Sequence, residues 1–369
     1  MEKKLPLIRA KRESRSPLIS VIIVNFNGKK YLINCLNGVF ANRYRNYEVI
    51  VVDNGSNDES VLAIKKIFSR KNNLKVVALS KNFGPAFARN QGVKKAKGKY
   101  LAFLDNDTFP DKNWLQLLIP EMEKDKTIGA CQCKLLLLKE PDKFDYAGDY
   151  LNQWGFLVQR VEGGEKDFGQ ADQKVEILSA KSAAMVIRKD VFEKIGGFDE
   201  DYFIYLEETD LGWRTWLAGY RVIFIPKSRV YHEFGTTSII DPNLQNFNVK
   251  FHGTKNYIIT NFKNLGSENL IKILIPHLLL WMGIGSWLII KRQFKSGFFV
   301  LKGIGWFFWH IKKIWRKRIL IQKKRAVSDK ELMPKILIPK PFSYFYKKLS
   351  LVEKVGNAEG WIHKKIIKK

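Results

Sequence analysis

The chain reads as an α/β protein: a mainly parallel sheet with helices on both faces, followed by a basic and apolar helical region. Three observations predict this. Near-continuous β-branched runs alternate with helical stretches over the first hundred residues. Three of those runs end in polar, turn-forming residues. The last third gathers apolar runs and positive charge: from Asp241 onward there are 26 Lys and Arg against 6 Asp and Glu, in a chain of 369 residues with net charge +28.

The first strand is Ile19–Val24, the second Tyr47–Val52, the third Leu74–Leu79 and the fourth Tyr100–Leu104. Helical stretches lie between them, near Tyr31–Phe40, Ser60–Phe68 and Pro85–Ala96. In such sheets ligands bind beyond the carboxyl ends of the strands. The ends here are Asn25-Phe26-Asn27-Gly28, Asp53-Asn54-Gly55-Ser56 and Asp105-Asn106-Asp107, and they should converge on one edge. The last is the most informative. Two carboxylates stand two positions apart at the tip of a buried strand, where each would cost roughly several kcal/mol of desolvation without a partner. A divalent cation with oxygen ligands is the natural partner, and it would neutralise a diphosphate. A lone Asp-x-Asp also occurs in turns and caps; the setting separates this one.

No Gly-x-Gly-x-x-Gly follows the first strand, and no Gly-Lys-Ser/Thr loop occurs. A nucleotide would be held another way. Asp53 can accept a hydrogen bond from a base or ribose, and Phe26 can lie against the base. Asn82-Phe83-Gly84-Pro85 opens the third helix, with Pro85 suited to its first turn. Arg89 in its opening turns suits a diphosphate. Asn25 and Asn82 join these as donor-side candidates. The plain alternatives are a turn residue for Asp53, a core aromatic for Phe26 and a solvated helix face for Arg89.

Next comes a helix at Trp114–Lys124, with Pro120 as a kink, then a less regular region from Ile128 to Val175. Strand character returns at Val175–Ile187. Glu207, Glu208 and Asp210 then open a helix running to about Ala218, beside aromatics and after the Gly196-Gly197 turn. The helix dipole alone would favour acids there. They also suit a general base that deprotonates an alcohol, its pKa tuned by a neighbouring like charge. Arg229–Glu233 reads as a short strand that presents His232, a candidate metal ligand alongside Asp105 and Asp107.

Taken in order, these residues resemble the family-2 glycosyltransferases, which are inverting, nucleotide-sugar-dependent enzymes of the GT-A fold. The resemblance runs from about Leu18 to Asn264. It is carried by Val-Asn-Phe-Asn-Gly at 24–28, Val-Val-Asp-Asn-Gly-Ser at 51–56, Asn-Phe-Gly-Pro-Ala-Phe-Ala-Arg-Asn at 82–90 and Leu-Asp-Asn-Asp-Thr at 104–108. Gly-Gly-Phe-Asp-Glu at 196–200, Tyr-Leu-Glu-Glu-Thr-Asp-Leu at 205–211 and Val-Tyr-His at 230–232 complete it. The resemblance implies that Asp53 binds the nucleobase with Phe26 nearby, that Asp105 reaches the ribose, and that Asp107 holds a manganese or magnesium ion on the diphosphate. It implies a further metal contact from His232. Glu208 matches the base, where many relatives have Asp, with Glu207 and Asp210 as alternatives. Ser182 stands where relatives often have Gly, and Lys255 where an Arg is usual before Asn256. The Gln-x-x-Arg-Trp motif of processive synthases is missing, so transfer of a single sugar is expected. The motifs look rhamnosyltransferase-like, which suggests a dTDP-linked donor; UDP- and GDP-linked donors stay open.

Residues 1–17 read as a flexible basic arm without the apolar core of a signal peptide, residues 18–264 as the catalytic domain, and residues 265–369 as a membrane-associated helical region. Ile273–Ile290 is an apolar run near the lower limit for a bilayer span. A second run, Gly297–Trp309, is broken by Lys302, and Lys312, Lys313, Arg316, Lys317, Arg318, Lys323, Lys324 and Arg325 follow. Tryptophans beside a polybasic stretch suit an anionic membrane surface. Interfacial or re-entrant helices are favoured over clean spans because of Pro276 and His277. The tail at 361–369 is amphipathic and basic and suits the same surface. Apolar runs this long argue against nucleic acid as the partner. A catalytically inactive, membrane-bound carbohydrate-binding relative is the other alternative. Cys35, Cys131 and Cys133 make neither a disulfide frame nor a zinc site. The expected protein glycosylates a lipid-linked acceptor for a cell-surface polysaccharide at the cytoplasmic face of the membrane, from a peripheral, re-entrant or spanning position.

Overall fold

The computed structural model describes residues 16–233, 242–341 and 343–344. Most of the predicted N-terminal arm and the amphipathic tail lie outside the described residues. Four parallel strands form the first half of the sheet: β1 (Ile19–Asn25), β2 (Tyr47–Asp53), β3 (Leu74–Ala78) and β4 (Tyr100–Asp105). Helices α1 (Lys29–Phe40), α2 (Ser60–Ile67) and α3 (Pro85–Lys95) connect them. Successive residues of a strand point to opposite faces, and here both faces are covered. Ile22, Ile50, Val52, Leu101 and Phe103 enter one apolar core. Val21, Ile23, Val49, Val51, Ala102 and Leu104 enter the other. This is why the strands are apolar throughout rather than alternating.

Beyond β4 the chain forms β5 (Thr108–Pro110), α4 (Trp114–Lys124), β6 (Ile128–Leu137), β7 (Phe144–Tyr146), β8 (Asp149–Leu151), β9 (Leu157–Gln159), β10 (Val175–Glu176) and β11 (Ala184–Arg188). Then come α5 (Lys189–Ile195), α6 (Glu207–Leu217) and β12 (Arg221–His232). The sheet runs β10-β12-β6-β11-β4-β1-β2-β3, with β11 antiparallel to both neighbours. Two segments differ from the sequence expectation. The stretch expected to be irregular contains β6, a ten-residue strand inside the sheet. Its sequence, IGACQCKLLL, lacks a β-branched run, and two polar side chains hide its apolar character. Gln132 bonds the Lys181 N–H and the Ala184 carbonyl, and Lys134 pairs with Asp167 and Asp172. The strand expected over 175–187 is split into β10 and β11. Pro120 lies within α4 without ending it.

Five helices complete the described chain: α7 (Pro242–Asn264), α8 (Ser267–Ile290), α9 (Phe294–Trp309), α10 (Ile311–Lys323) and α11 (Asp329–Ile336). They pack onto the sheet domain. Ile258, Ile259, Phe262, Leu274, Ile304, Phe307 and Ile314 form a third core with Tyr202 and Leu206. Leu332 and Ile336 of α11 enter the first core. Lys317 bridges Asp199 and Asp201, and Lys313 reaches Asp201 at 2.5 Å. Among the described residues, α8 is the one helix long and apolar enough to cross a membrane.

Candidate active site

The parallel register sets Asn25 beside Asp53 and Val24 beside Asp105, so the three polar strand ends meet on one edge. Asp53 is buried. Its Oδ1 accepts from Asn25 Nδ2 at 3.0 Å and its Oδ2 from the Ser56 N–H at 3.0 Å. Asn25 Oδ1 in turn accepts from Asn106 Nδ2 at 2.7 Å. Phe26 follows on this edge, partly buried. Exposed Asn82 accepts from Asn54 Nδ2 and from the Gly84 N–H, both at 2.9 Å, which shapes the turn into α3.

After Asp105 the chain turns through Asn106 and Asp107 into β5. The antiparallel pairing of β5 with β12 puts His232 opposite Thr108, and hence next to Asp107. Ligand atoms of Asp105, Asp107 and His232 lie within 4.8 Å of one another. His232 Nε2 is 3.2 Å from Asp107 Oδ1, and its Nδ1 is 3.0 Å from Asp145 Oδ2. Burial opposes charge on the ring, but Asp107 and Asp145 on its two sides outweigh it and raise its pKa to about 10. Asp145 is itself held below the usual carboxylate range against burial by Lys181 and His232. The set fits a divalent cation: two carboxylates and an imidazole converge, and Asp145 orients the imidazole so that Nε2 faces the carboxylates.

Arg89 connects this cluster to the acidic helix. It is 4% exposed, and it donates to Asp105 Oδ1 and to Glu207 Oε1, both at 2.8 Å. Glu207 is buried, with Oε2 lacking a hydrogen-bond partner. Burial and the neighbouring Glu208 push its pKa up to about 8, against the pull of Arg89. Asp210 is fully buried and saturated by Arg214, Lys263 and Asn264. Of the three acids, Glu208 lines a cavity of about 490 Å³, and its Oε2 has no hydrogen-bond partner. The segment leading into α6 is strained: Phe203, Tyr205 and Leu206 all have positive φ (62°, 69° and 66°). Asn256 of α7 holds it, its Nδ2 facing the carbonyls of Tyr202, Ile204 and Tyr205 at 3.1, 2.8 and 2.7 Å. Lys255 donates to the Asp201 carbonyl at 2.6 Å. Gly84, at φ +84°, lets Phe203 approach; a Cβ there would sit 2.6 Å from the Phe203 carbonyl oxygen.

The sequence reasoning missed Asp145, Asp149 and Lys181. Asp149 is buried in the Glu208 cavity and accepts from the Ser179 N–H and hydroxyl. Burial raises its pKa to about 7. Phe144-Asp145-Tyr146-Ala147-Gly148-Asp149, two acids set among apolar and small residues, was the available signal.

Residues 20–196 match the model of glycosyl transferase family 2. They form a family-2 glycosyltransferase domain. The chain is 28% identical over 224 residues to an O-antigen biosynthesis protein, RfbC, of Myxococcus xanthus, covering 59% of this chain and 17% of that one. It is 29% identical over 218 residues to the glycosyltransferase AglE of Haloferax volcanii, covering 57% of this chain and 65% of the other. The chain thus spans less than two thirds of each of these relatives. Among solved structures it superposes on GalNAc-T7 bound to UDP, GalNAc and Mn2+ with TM-score 0.54 at 18% identity, covering 70% of this chain and 49% of that one. A mannosyltransferase of Pyrobaculum calidifontis with GDP-Man and Mn2+ matches with TM-score 0.50 at 16% identity, over 90% of this chain and 92% of the other. The fold is GT-A, as the sequence resemblance implied.

Proposed function

We propose that this glycosyltransferase moves one sugar, with inversion, from a nucleotide-diphosphate donor to a hydroxyl of a lipid-linked acceptor during synthesis of an O-antigen or related surface polysaccharide. One observation carries the reading: Arg89 ties the Asp105-Asp107-His232 cluster to the acidic pair, so the donor and acceptor sides lie on either side of one guanidinium. Asp53, Asn25 and Phe26 would receive the nucleoside, and Asn82 shapes the neighbouring turn. Asp105, Asp107 and His232 would hold manganese or magnesium, which when bound neutralises charge on the leaving diphosphate. Glu208, which lines the cavity and whose buried Oε2 has no hydrogen-bond partner, takes the proton of the acceptor hydroxyl. The oxygen then attacks the anomeric carbon opposite the leaving group. Arg89 is a positioning residue in this scheme, because both ends of its guanidinium are spent on carboxylates. Asp210 anchors α6.

The neighbour structures hold UDP or GDP-mannose with Mn2+, which supports a nucleotide-sugar donor and a divalent ion. We assign the protein to the cytoplasmic face of the membrane, where nucleotide sugars are made. The helices lie along the surface. In α8, Ile271, Ile275, Leu279, Met282 and Ile290 form an exposed apolar stripe at helical spacing. Midway along the opposite face, His277 is buried and donates to the Trp154 carbonyl at 2.7 Å, while Trp281 donates to its other ring nitrogen. A helix pinned at its midpoint to the catalytic domain lies in the interface rather than across the bilayer. Trp309, Trp315, Ile319 and Leu320 of the following helices are exposed too, in a sequence rich in lysines suited to anionic lipid. The test is to incubate the purified protein with manganese or magnesium and a panel of dTDP-, UDP- and GDP-sugars, and to measure nucleoside diphosphate release. No metal-dependent release from any donor would overturn the enzymatic reading.

A further inference from the structure

One charged group near the base has no role in the scheme above. Lys250, Gly253 and Tyr257 of α7 share a helix face by their spacing, and all three line the cavity that holds Glu208. Lys250 is partly buried and donates to Ser296 Oγ at 2.7 Å. Among the described residues it has no carboxylate partner. Burial acts on it unopposed and lowers its pKa. The other cavity lysine differs: Lys181 is paired with Asp145 at 3.2 Å. A cation drawn partly out of water without a counter-ion favours a ligand that brings the charge.

The surrounding wall restricts that ligand. Trp281, Ile284 and Leu288 of α8 and Val300 of α9 line the same cavity, with Phe156 and Tyr257 beside them. Gly253 leaves room, since a Cβ there would have nothing within 4 Å. A free inorganic anion would satisfy the ammonium and leave this apolar wall wet. A hydrocarbon alone would cover the wall and leave the ammonium unpaired. An amphiphile with a phosphoryl group at the head of its hydrocarbon satisfies both.

Resting on the transferase reading above, we propose that Lys250 anchors the phosphoryl group of the acceptor lipid, whose hydrocarbon lies along Trp281, Ile284 and Leu288 while its sugar hydroxyl reaches Glu208. The site is thereby a binding site for a lipid phosphate or diphosphate, built from α7, α8 and α9.

The test is calorimetric titration of the full chain with farnesyl diphosphate, farnesol and inorganic pyrophosphate. Wild type should bind farnesyl diphosphate more tightly than either fragment. Lys250→Met should weaken farnesyl diphosphate roughly 10- to 100-fold, the range for losing one charge-assisted hydrogen bond, while farnesol binds as before. Lys250→Arg should restore most of the loss. Gly253→Leu should weaken both isoprenyl probes by filling the space. Equal affinity of Lys250→Met and wild type for farnesyl diphosphate would overturn the proposal. Pyrophosphate binding as tightly as farnesyl diphosphate would also overturn it, in favour of a free-phosphate site. Nucleoside diphosphate release by wild type, measured alongside, separates the two readings. Release without isoprenyl binding sinks the lipid site alone, and isoprenyl binding without release sinks the transferase reading alone.

Discussion

Replacing Arg89 with Met tests the link between the two halves of the site. The side chain is 4% exposed and makes two charge-assisted bonds of 2.8 Å, to Asp105 and to Glu207. Methionine keeps the apolar bulk and removes the charge. Glu207 is 4% exposed at its side chain and is left without its cation; Asp105, 34% exposed, can turn to water and adds little. Removing one partner of a buried pair costs about 3–5 kcal/mol. That cost should depend on pH. The folded pKa of Glu207 is raised from 4.5 to about 8. Its contribution to stability is therefore complete below the unfolded pKa and is lost as pH rises toward 8. Without Arg89 the pKa climbs further, so the variant keeps losing stability above pH 8, where this group's effect in the wild type has levelled. The gap should be about 3–5 kcal/mol at pH 9 and roughly 1 kcal/mol smaller at pH 6, where the lost bonds involve a neutral acid. In urea at about 3 kcal/mol per molar, the pH 9 midpoint should fall by roughly 1 M or more. Arg89→Met/Glu207→Gln removes the orphaned charge and should recover about 2–3 kcal/mol. A single variant that loses less than about 1 kcal/mol at pH 9, with no narrowing at pH 6, would refute the buried-strut argument.

Glu208→Gln should leave nucleotide binding intact and lower transfer by about 10²–10⁴-fold, read from single-turnover rates; transfer at the wild-type rate removes it as the base. Asn256→Asp exchanges a donor for a carboxylate facing three carbonyls, so kcat should fall by at least about tenfold at little change in donor KM. A change in KM alone would mean that the strained segment at 203–206 does not position Glu208. Asp149, with its pKa raised from 3.8 to about 7, contributes stability that is complete below pH 3.8 and lost by about pH 7; Asp149→Asn should flatten the denaturation midpoint between pH 5 and 7. Trp309→Ser together with Trp315→Ser should reduce flotation with vesicles containing phosphatidylglycerol while nucleotide binding persists; undiminished flotation would move the membrane contact off this face.

The amino-terminal half of the site was legible because each of its residues sits at the end of a strand whose apolar run is buried on both faces. Strand ends of that kind are local signals, and parallel register brings them together without any long-range guess. His232 was legible in the same way, as the end of a strand. Asp145 was not, because it lies in a three-residue strand after a stretch in which Gln132 and Lys134 interrupt the apolar pattern. Those polar groups are buried only because partners many residues away satisfy them, and no window of sequence shows that. Arg89 shows a second limit. The sequence places it near the diphosphate, and the fold does bring it to Asp105, but the same guanidinium also meets Glu207, 118 residues on. A group spent on two carboxylates cannot offer its full charge to a phosphate. In the proposed scheme it therefore acts through the geometry it imposes on Asp105 and Glu207. The α8 helix illustrates the converse. Composition alone made it a candidate span, while one hydrogen bond from His277 to Trp154 ties its midpoint to the sheet domain. A buried histidine in the middle of an apolar run was the sequence's own sign that one face of that helix meets protein rather than lipid.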